Sequence, residues 1–354
     1  MASTPDSPAS STYNASPALE QLLARRDLSP ESATELMEAI AAGRLSPAST
    51  AAILIALRAK GESVNEISSF ARVMRQCAVR VNAPDKVLDT CGTGGDKSDT
   101  FNISTATAFV VAGMGIPVAK HGGRSVSSRT GSADVLKTLG VNLDASPTCV
   151  ERCIANAGIG FMFAPAHHPA AKHVAPIRKE LGVRTIFNLL GPLSNPAGAK
   201  LQLLGVFEPA LCSTFASVLQ ALGSRSAMVV CGAGPGGEGC LDEMSTFGPT
   251  TVARLEAGRI SVQQVDARAL GIAVPARDAL QAQSAESSAA TIRKILDGEK
   301  GPPRDIVCLN AAAAAIVAGK ANDWKEALAL AGQSIDTGRA SAALKSLCAI
   351  SNSN

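Results

Sequence analysis

Val87-Leu88-Asp89-Thr90-Cys91-Gly92-Thr93-Gly94-Gly95-Asp96, followed shortly by Thr100-Phe101-Asn102-Ile103-Ser104-Thr105, is the stretch that decides the fold. Val87-Leu88-Asp89 reads as a short strand. A glycine-rich loop follows, and then a helix is expected from about Ile103 to Met114. The next strand is expected at Ile116 to Ala119, with a second Gly/Ser loop and a helix near Ser132 to Leu139. A short strand is read at Val141-Asn142-Leu143, a helix near Thr148 to Asn156, and strands at Ile159 to Phe163, Leu203 to Phe207 and Ala227 to Cys231. Alternation of strand, loop and helix predicts an α/β fold with a mostly parallel central sheet and helices on both faces. Such sheets bind ligands at the carboxyl ends of their strands.

Upstream the pattern is helical throughout. Ser29-Pro30-Glu31 offers an N-cap, a proline at the first helical position and an acid in the first turn, and Gly43 stops that helix. Ser46-Pro47 repeats the start, and Lys60-Gly61 gives a basic last turn and a stop. Ser63-Val64-Asn65-Glu66 is a capping box ahead of Ile67, Phe70, Ala71 and Met74. Downstream, Pro169 to Pro192 interrupts the alternation with two expected helices, His173 to Leu181 and Arg184 to Leu190. Helices at Asp305 to Ala318 and Asp323 to Ile335 close the chain. The expected organisation is a disordered tail over 1–17 and a small all-helical domain over 18–84, with 168–192 packing onto it. A large α/β domain takes 85–167 and 193–354.

Composition narrows the function classes. The chain has 354 residues, of which 46% are hydrophobic and 18% charged, enough apolar material for a large core. A net charge of +3 and an aromatic content of 3% argue against an extended nucleic-acid surface, so any anion site is local. Nine scattered cysteines without a Cys-x-x-Cys pair read as reduced thiols. No apolar run is long enough to span a bilayer, and Met1–Pro17 lacks the basic and apolar regions of a secretory signal.

Four segments carry candidate chemistry. In the Gly92-Thr93-Gly94-Gly95-Asp96 loop, glycines let backbone N–H groups approach a phosphate, and Asn102, Ser104 and Thr105 place polar side chains at a helix N-terminus. The alternative is a glycine turn with an ordinary cap; a Walker A loop is excluded because no Gly-Lys-Ser/Thr follows. Lys120-His121-Gly122-Gly123-Arg124-Ser125-Val126-Ser127-Ser128 offers a second polyanion contact on the neighbouring strand, or else a solvated basic turn. Asp242-Glu243, in a Gly-flanked loop, could hold Mg²⁺ through oxygens or be a surface turn. Gly234-Pro235-Gly236-Gly237-Glu238-Gly239 fits a dinucleotide pattern but does not lead into a helix, so it is discounted. Lys172, His173, Arg178, Lys179 and Arg184 form a basic group from which one cation could hold a carboxylate, most of them reading otherwise as solvated surface charge. The spacing of His167, His168 and His173 excludes a helical zinc pair.

Together these segments resemble the anthranilate phosphoribosyltransferases, over about Leu19 to Leu347. The specific stretches are Gly92 to Asp96, Thr100 to Thr105, Lys120 to Asp134, Phe163 to Pro196 with Phe187-Asn188-Leu189-Leu190-Gly191-Pro192, Leu241-Asp242-Glu243-Met244, and Leu309-Asn310-Ala311-Ala312-Ala313. The resemblance implies a homodimer with a site between a helical and an α/β domain. It implies 5-phosphoribosyl-1-pyrophosphate and anthranilate as substrates, Mg²⁺ as cofactor, and no nucleic-acid or membrane partner. Gly92, Gly95, Asp96, Thr100, Asn102, Ser104, Thr105, Lys120 and Ser128 would bind the phosphoribosyl donor; Gly92, Gly123 and Arg178 would lie on the anthranilate side; Ser104, Asp242 and Glu243 would serve the metal. No covalent nucleophile or general base is expected. The compartment implied is the cytoplasm, or a plastid if Met1–Pro17 belongs to a targeting segment.

The chain departs from the family pattern at Gly123, where Asn is usual, at Lys97, where Gly is common, and at His167, where an aromatic or apolar residue is usual. Two rival activities are a nucleoside phosphorylase of the same fold and a non-catalytic nucleic-acid-binding relative. The Gly92–Asp96 loop and the Asp242-Glu243 pair favour the pyrophosphate donor over the first. The low net charge and sparse aromatics argue against the second.

Overall fold

The computed structural model describes residues 12–96, 98–124 and 130–353. These divide into two compact units: the described residues up to Ala78 together with His168–Leu190, and Val79–His167 together with the described residues from Gly191 onward.

The first unit opens with α1 (Ser16–Leu23), α2 (Pro30–Ala41), α3 (Pro47–Lys60) and α4 (Val64–Gln76). Their starts follow the sequence signals. Ser29 Oγ accepts the Ser32 N–H at 3.2 Å and Ser46 Oγ accepts the Ser49 N–H at 3.1 Å. Ser63 and Glu66 close a reciprocal capping box. Glu66 is fully buried and also accepts the Leu28 N–H (3.0 Å) and the Lys60 ammonium (2.9 Å), so one carboxylate ties the entry of α2 and the end of α3 to the start of α4.

The second unit begins with β1 (Leu88–Gly92), α5 (Ile103–Gly113), β2 (Val118–Gly122), α6 (Ser132–Leu139), α7 (Pro147–Ala157), β3 (Ile159–Phe163) and a single turn, α8 (Ala164–His167). The chain then returns to the first unit for a 3₁₀ turn (Pro169–His173), α9 (Ala175–Leu181) and a short α10 (Phe187–Leu190). The expected helices at His173–Leu181 and Arg184–Leu190 are thus shorter, beginning at Ala175 and Phe187. Back in the second unit come β4 (Leu201–Gly205), α11 (Ala210–Ala221), β5 (Ser226–Ala233), β6 (Cys240–Leu241), β7 (Thr250–Glu256), β8 (Arg259–Val265), α12 (Ala285–Leu296), α13 (Pro302–Val317), α14 (Trp324–Asp336) and α15 (Arg339–Ser351).

The strand order is β3-β2-β1-β4-β5-β7-β8, with β6 pairing β5. The first five strands run parallel, and β6, β7 and β8 add antiparallel pairings. The order reverses between β1 and β4, the point where an open α/β sheet leaves a crevice at its carboxyl edge. Helices α5 and α13 are apolar on nearly every side and are almost wholly buried in the main core, as such helices must be. Leu203 and Met228 face that core, while Ala119 and Met162 join a second cluster with Val150 and Ile154 of α7. The sheet is therefore covered on both faces. Among the described residues, no helix is long and apolar enough to cross a membrane.

Two expected strands are corrected. Val141–Leu143 is not a strand: the Asn142 N–H and side-chain amide bond Ser351 at the end of α15 instead of a sheet neighbour. The strand expected at Leu203–Phe207 runs from Leu201, beside Leu88, to Gly205, beside Gly92.

Candidate active site

The turn after β1 starts where the switch point opens. Gly94 and Gly95 have φ of 67° and 83°, conformations that favour glycine, and they reverse the chain out of the sheet. The Gly94 N–H donates to Asp242 Oδ2 at 2.7 Å. The Asp242 N–H points back at Asp96 Oδ2 at 3.4 Å. The glycine turn and the acidic turn, 148 residues apart in the chain, are thus docked on each other. Asp96 also accepts from Ser98 Oγ at 2.7 Å, and Ser98 in turn meets Thr100 Oγ1 at 3.3 Å.

The acidic turn lies on a bed from which side chains are missing. A Cβ on Gly92 would overlap the Asp242 carboxylate, one on Gly205 would overlap the Asp242 carbonyl, and one on Gly232 would overlap Ser245 Cβ. These glycines sit on the adjacent strands β1, β4 and β5. The missing side chain of Gly92 therefore seats Asp242. Sequence reasoning singles out Gly92 but not Gly205 or Gly232, whose role emerges only once the turn is folded over them.

Helix α5 supplies the next groups. Asn102 is its N-cap residue, and its Oδ1 accepts from Thr130 Oγ1 (3.0 Å) and Ser288 Oγ (2.9 Å), which fixes the amide. Ser104 is half-buried and accepts the Lys120 ammonium at 3.2 Å. Its backbone N–H donates to the Glu243 carboxylate. Thr105 is fully buried, and its hydroxyl is without a partner.

Lys120, on β2, is only 2% exposed and also donates to the Thr90 carbonyl at 2.6 Å. Burial lowers its pKa while Asp89, Glu243 and Asp242 pull the other way. The acids around it are shifted upward. Burial, then Asp96, pushes Asp242 up to about 7. Burial, then Asp242, holds Glu243 well above the ordinary carboxylate range. Burial pushes Asp89 up to about 6, although Asn195 and Lys120 pull it down. Asp89 Oδ1 accepts the His121 N–H at 3.3 Å, and its Oδ2 is buried without a partner. Sequence reasoning passes over Asp89; its place at the second position of β1 is the only signal that could draw attention to it. The site is a buried acidic cluster around the buried Lys120 ammonium, an arrangement that binding of a polyvalent cation would relieve.

Gly123 lies just beyond β2 and is half-buried; among the described residues, a Cβ added there would meet Ala164 Cβ at 3.8 Å, an ordinary contact. Ser128 and Lys97 lie outside the described residues. Arg178 belongs to the first unit, on α9. It stacks over the Phe187 ring at 5.6 Å, and its Nη2 donates to Asn188 Oδ1 at 3.4 Å. Burial lowers its pKa. Asn188 is itself held by the Thr185 N–H at 3.0 Å.

Comparison with known proteins agrees with this architecture. Residues 84–341 match a model described as glycosyl transferase family, a/b domain, and residues 16–78 match the helical bundle domain of the same family. An anthranilate phosphoribosyltransferase of Nitrosomonas europaea is 49% identical over 94% of this chain and 97% of its own. One of Rhodopseudomonas palustris is 50% identical over 92% and 94%. The crystal structure of the Thermus thermophilus enzyme superposes with a TM-score of 0.88 at 41% identity, covering 95% of this chain and 99% of the other. The Saccharomyces cerevisiae enzyme in complex with the phosphoribosyl donor and Mg superposes at 0.85 with 26% identity, covering 95% and 97%.

Proposed function

The chain belongs to the anthranilate phosphoribosyltransferase family, and on that premise we propose how its residues move the 5-phosphoribosyl group of 5-phosphoribosyl-1-pyrophosphate to the amine of anthranilate, releasing pyrophosphate in tryptophan biosynthesis. The observation that carries the reading is the docking of the acidic turn on the glycine turn through Asp242 and Gly94, with Lys120 buried beside both.

Gly92, Gly95, Asp96, Thr100, Asn102, Ser104, Thr105, Lys120 and Ser128 form the proposed donor site. Backbone N–H groups of the glycine turn and the Lys120 ammonium meet the phosphates, where fixed donors in a partly buried site stabilise charge strongly. Asp242, Glu243 and the Ser104 hydroxyl would hold Mg²⁺. They fit: the donors are all oxygen, the two carboxylates are forced together against their own repulsion, and a hard divalent cation accepts such ligands beside water and phosphate. When bound, Mg²⁺ neutralises charge developing on the departing pyrophosphate.

Arg178, with Gly92 and Gly123, is assigned to anthranilate. A guanidinium matches a carboxylate by two parallel bonds, and Phe187 and Asn188 hold this one in place. The anthranilate amine carries a free lone pair at neutral pH, so the residues need only align it with the ribose C1; no covalent nucleophile and no indispensable base is assigned. A homodimer in the cytoplasm completes the proposal, a reducing compartment suiting cysteines that are all free.

The test is loss of anthranilate fluorescence with purified protein, the phosphoribosyl donor and Mg²⁺. Glu243→Ala should cut turnover and raise the Mg²⁺ needed for half-maximal rate. Wild-type turnover of that variant at ordinary Mg²⁺ would defeat the metal assignment. Cleavage of thymidine by phosphate, without anthranilate consumption, would defeat the transferase reading.

A further inference from the structure

We infer that Asn310 is a positioning residue that sets the acidic turn in register with the donor loop, an inference that rests on the metal assignment proposed above. Asn310 sits on α13, fully buried, between Leu309 and a run of buried alanines. An amide so placed is costly unless each polar atom is bonded. Its Oδ1 accepts the Met244 N–H at 2.9 Å, and its Nδ2 donates to the Met244 carbonyl at 2.9 Å and to the Ile306 carbonyl at 2.9 Å. The first two bonds form the reciprocal pair that one strand residue makes with another. Here a side chain supplies it to the backbone of the residue next to Glu243.

Met244 is also fully buried, so its backbone N–H and C=O need partners within the protein, and Asn310 supplies one to each. The Asp242 carbonyl also rests on Gly205 and the Glu243 carbonyl on Gly232, with no room for a Cβ at either. The turn carrying both carboxylates is therefore held by a polar clamp at Met244 and by a bare strand surface under Asp242 and Glu243. Shifting the turn moves Asp242 and Glu243 together, whereas a purely structural amide would affect folding and leave metal binding alone. Groups that orient metal ligands in this way typically change metal affinity by about 10- to 100-fold when removed.

The experiment uses the full chain, with Mn²⁺ as the metal probe and pyrophosphate present, binding being read from the Mn²⁺ paramagnetic resonance signal. Asn310→Ser, which shortens the clamp, and Gly205→Ala, which displaces the Asp242 carbonyl, should each weaken Mn²⁺ binding about tenfold while the KM for anthranilate changes less than twofold. Wild-type Mn²⁺ binding in either folded variant would overturn the inference. If neither variant folds, hydrogen exchange of the unmodified protein decides: a Met244 amide exchanging as slowly as the middle of α13 supports the clamp, and one exchanging like an open turn refutes it. Glu243→Ala separates the two levels. If it too binds Mn²⁺ normally, the metal assignment fails; if it binds weakly while Asn310→Ser binds normally, only this inference fails.

Discussion

Two lysines with buried side chains divide the molecule into a part that is held and a part that waits. Lys60, in the helical unit, has a side chain only 4% exposed and meets Asp27 at 2.6 Å and Glu66 at 2.9 Å. Burial opposes its charge, yet these acids outweigh burial and raise its pKa. Lys120, in the sheet unit, is also buried among acids, but it donates to a carbonyl and a hydroxyl, and burial prevails over Asp89, Glu243 and Asp242. The first charge is satisfied by the fold. The second belongs to a set left electrostatically strained by the fold, which the proposed polyanion and cation would relieve. Paired burial marks architecture, and frustrated burial marks the place where chemistry is prepared.

The largest expected effect comes from breaking each lysine's surroundings in turn. Lys120→Met should lower turnover by about 10²- to 10³-fold with no loss of thermal stability. Glu66→Ala should leave turnover unchanged in the folded fraction and cost about 1–3 kcal/mol in urea unfolding, since two backbone N–H groups lose their acceptor and Lys60 keeps only Asp27 of its two carboxylates. If the two variants exchanged these phenotypes, the division would be wrong. Arg178 is the one residue of the helical unit proposed to bind substrate. Arg178→Ala should raise the KM for anthranilate about 10- to 100-fold and leave that for the phosphoribosyl donor near wild type; equal effects on both would remove it from acceptor binding.

The pH dependence of stability sharpens the contrast further. Asp89 and Asp242 titrate near 6 and 7 in the folded protein against an ordinary 3.8. The folded chain therefore binds more protons than the unfolded one across that window, and stability without metal is highest below it and is lost as pH rises through 6 to 7. Melting temperature followed from pH 4 to 8 should fall, and Asp89→Asn should flatten part of the slope. A flat wild-type profile would show that the acids are not strained. The smallest effect is expected at Gly123→Asn. Among the described residues a Cβ there makes only an ordinary contact with Ala164, so folding should be untouched, and steady-state kinetics should show activity kept or modestly improved; a large loss would mean that the site has adapted to the glycine.

Local signals make the helical starts readable: Ser29, Ser46 and the Ser63–Glu66 box form the caps their residue types predict. The β1, α5 and β2 stretch is readable because glycine turns separate short apolar runs. The β7–β8 hairpin is not. Its turn, Ala257-Gly258, places both residues at positive φ, 48° and 71°, but an alanine there hides the Asn-Gly signature that such turns usually show. Helices α11, α12 and α15 also go unread, and β4 is expected two residues late because its register depends on a neighbour. In the site, the chemistry-bearing types Lys120, Asp242 and Glu243 stand out by composition. Gly205, Gly232 and Asn310 act through what lies above them, and a linear sequence does not display that.

The chain passes between its two units at Ala78–Val79, His167–His168 and Leu190–Gly191. At two of these passages the ends are laced together inside the sheet unit: the Val79 N–H donates to the His167 carbonyl at 2.8 Å, and His167 Nδ1 meets the Val79 carbonyl at 2.8 Å. Deleting the first 78 residues would strand α9 and α10 without the helices they fold with. A minimal catalytic fragment is thus out of reach by trimming from the front, and any transplant of the helical unit between relatives has to exchange both of its pieces at once.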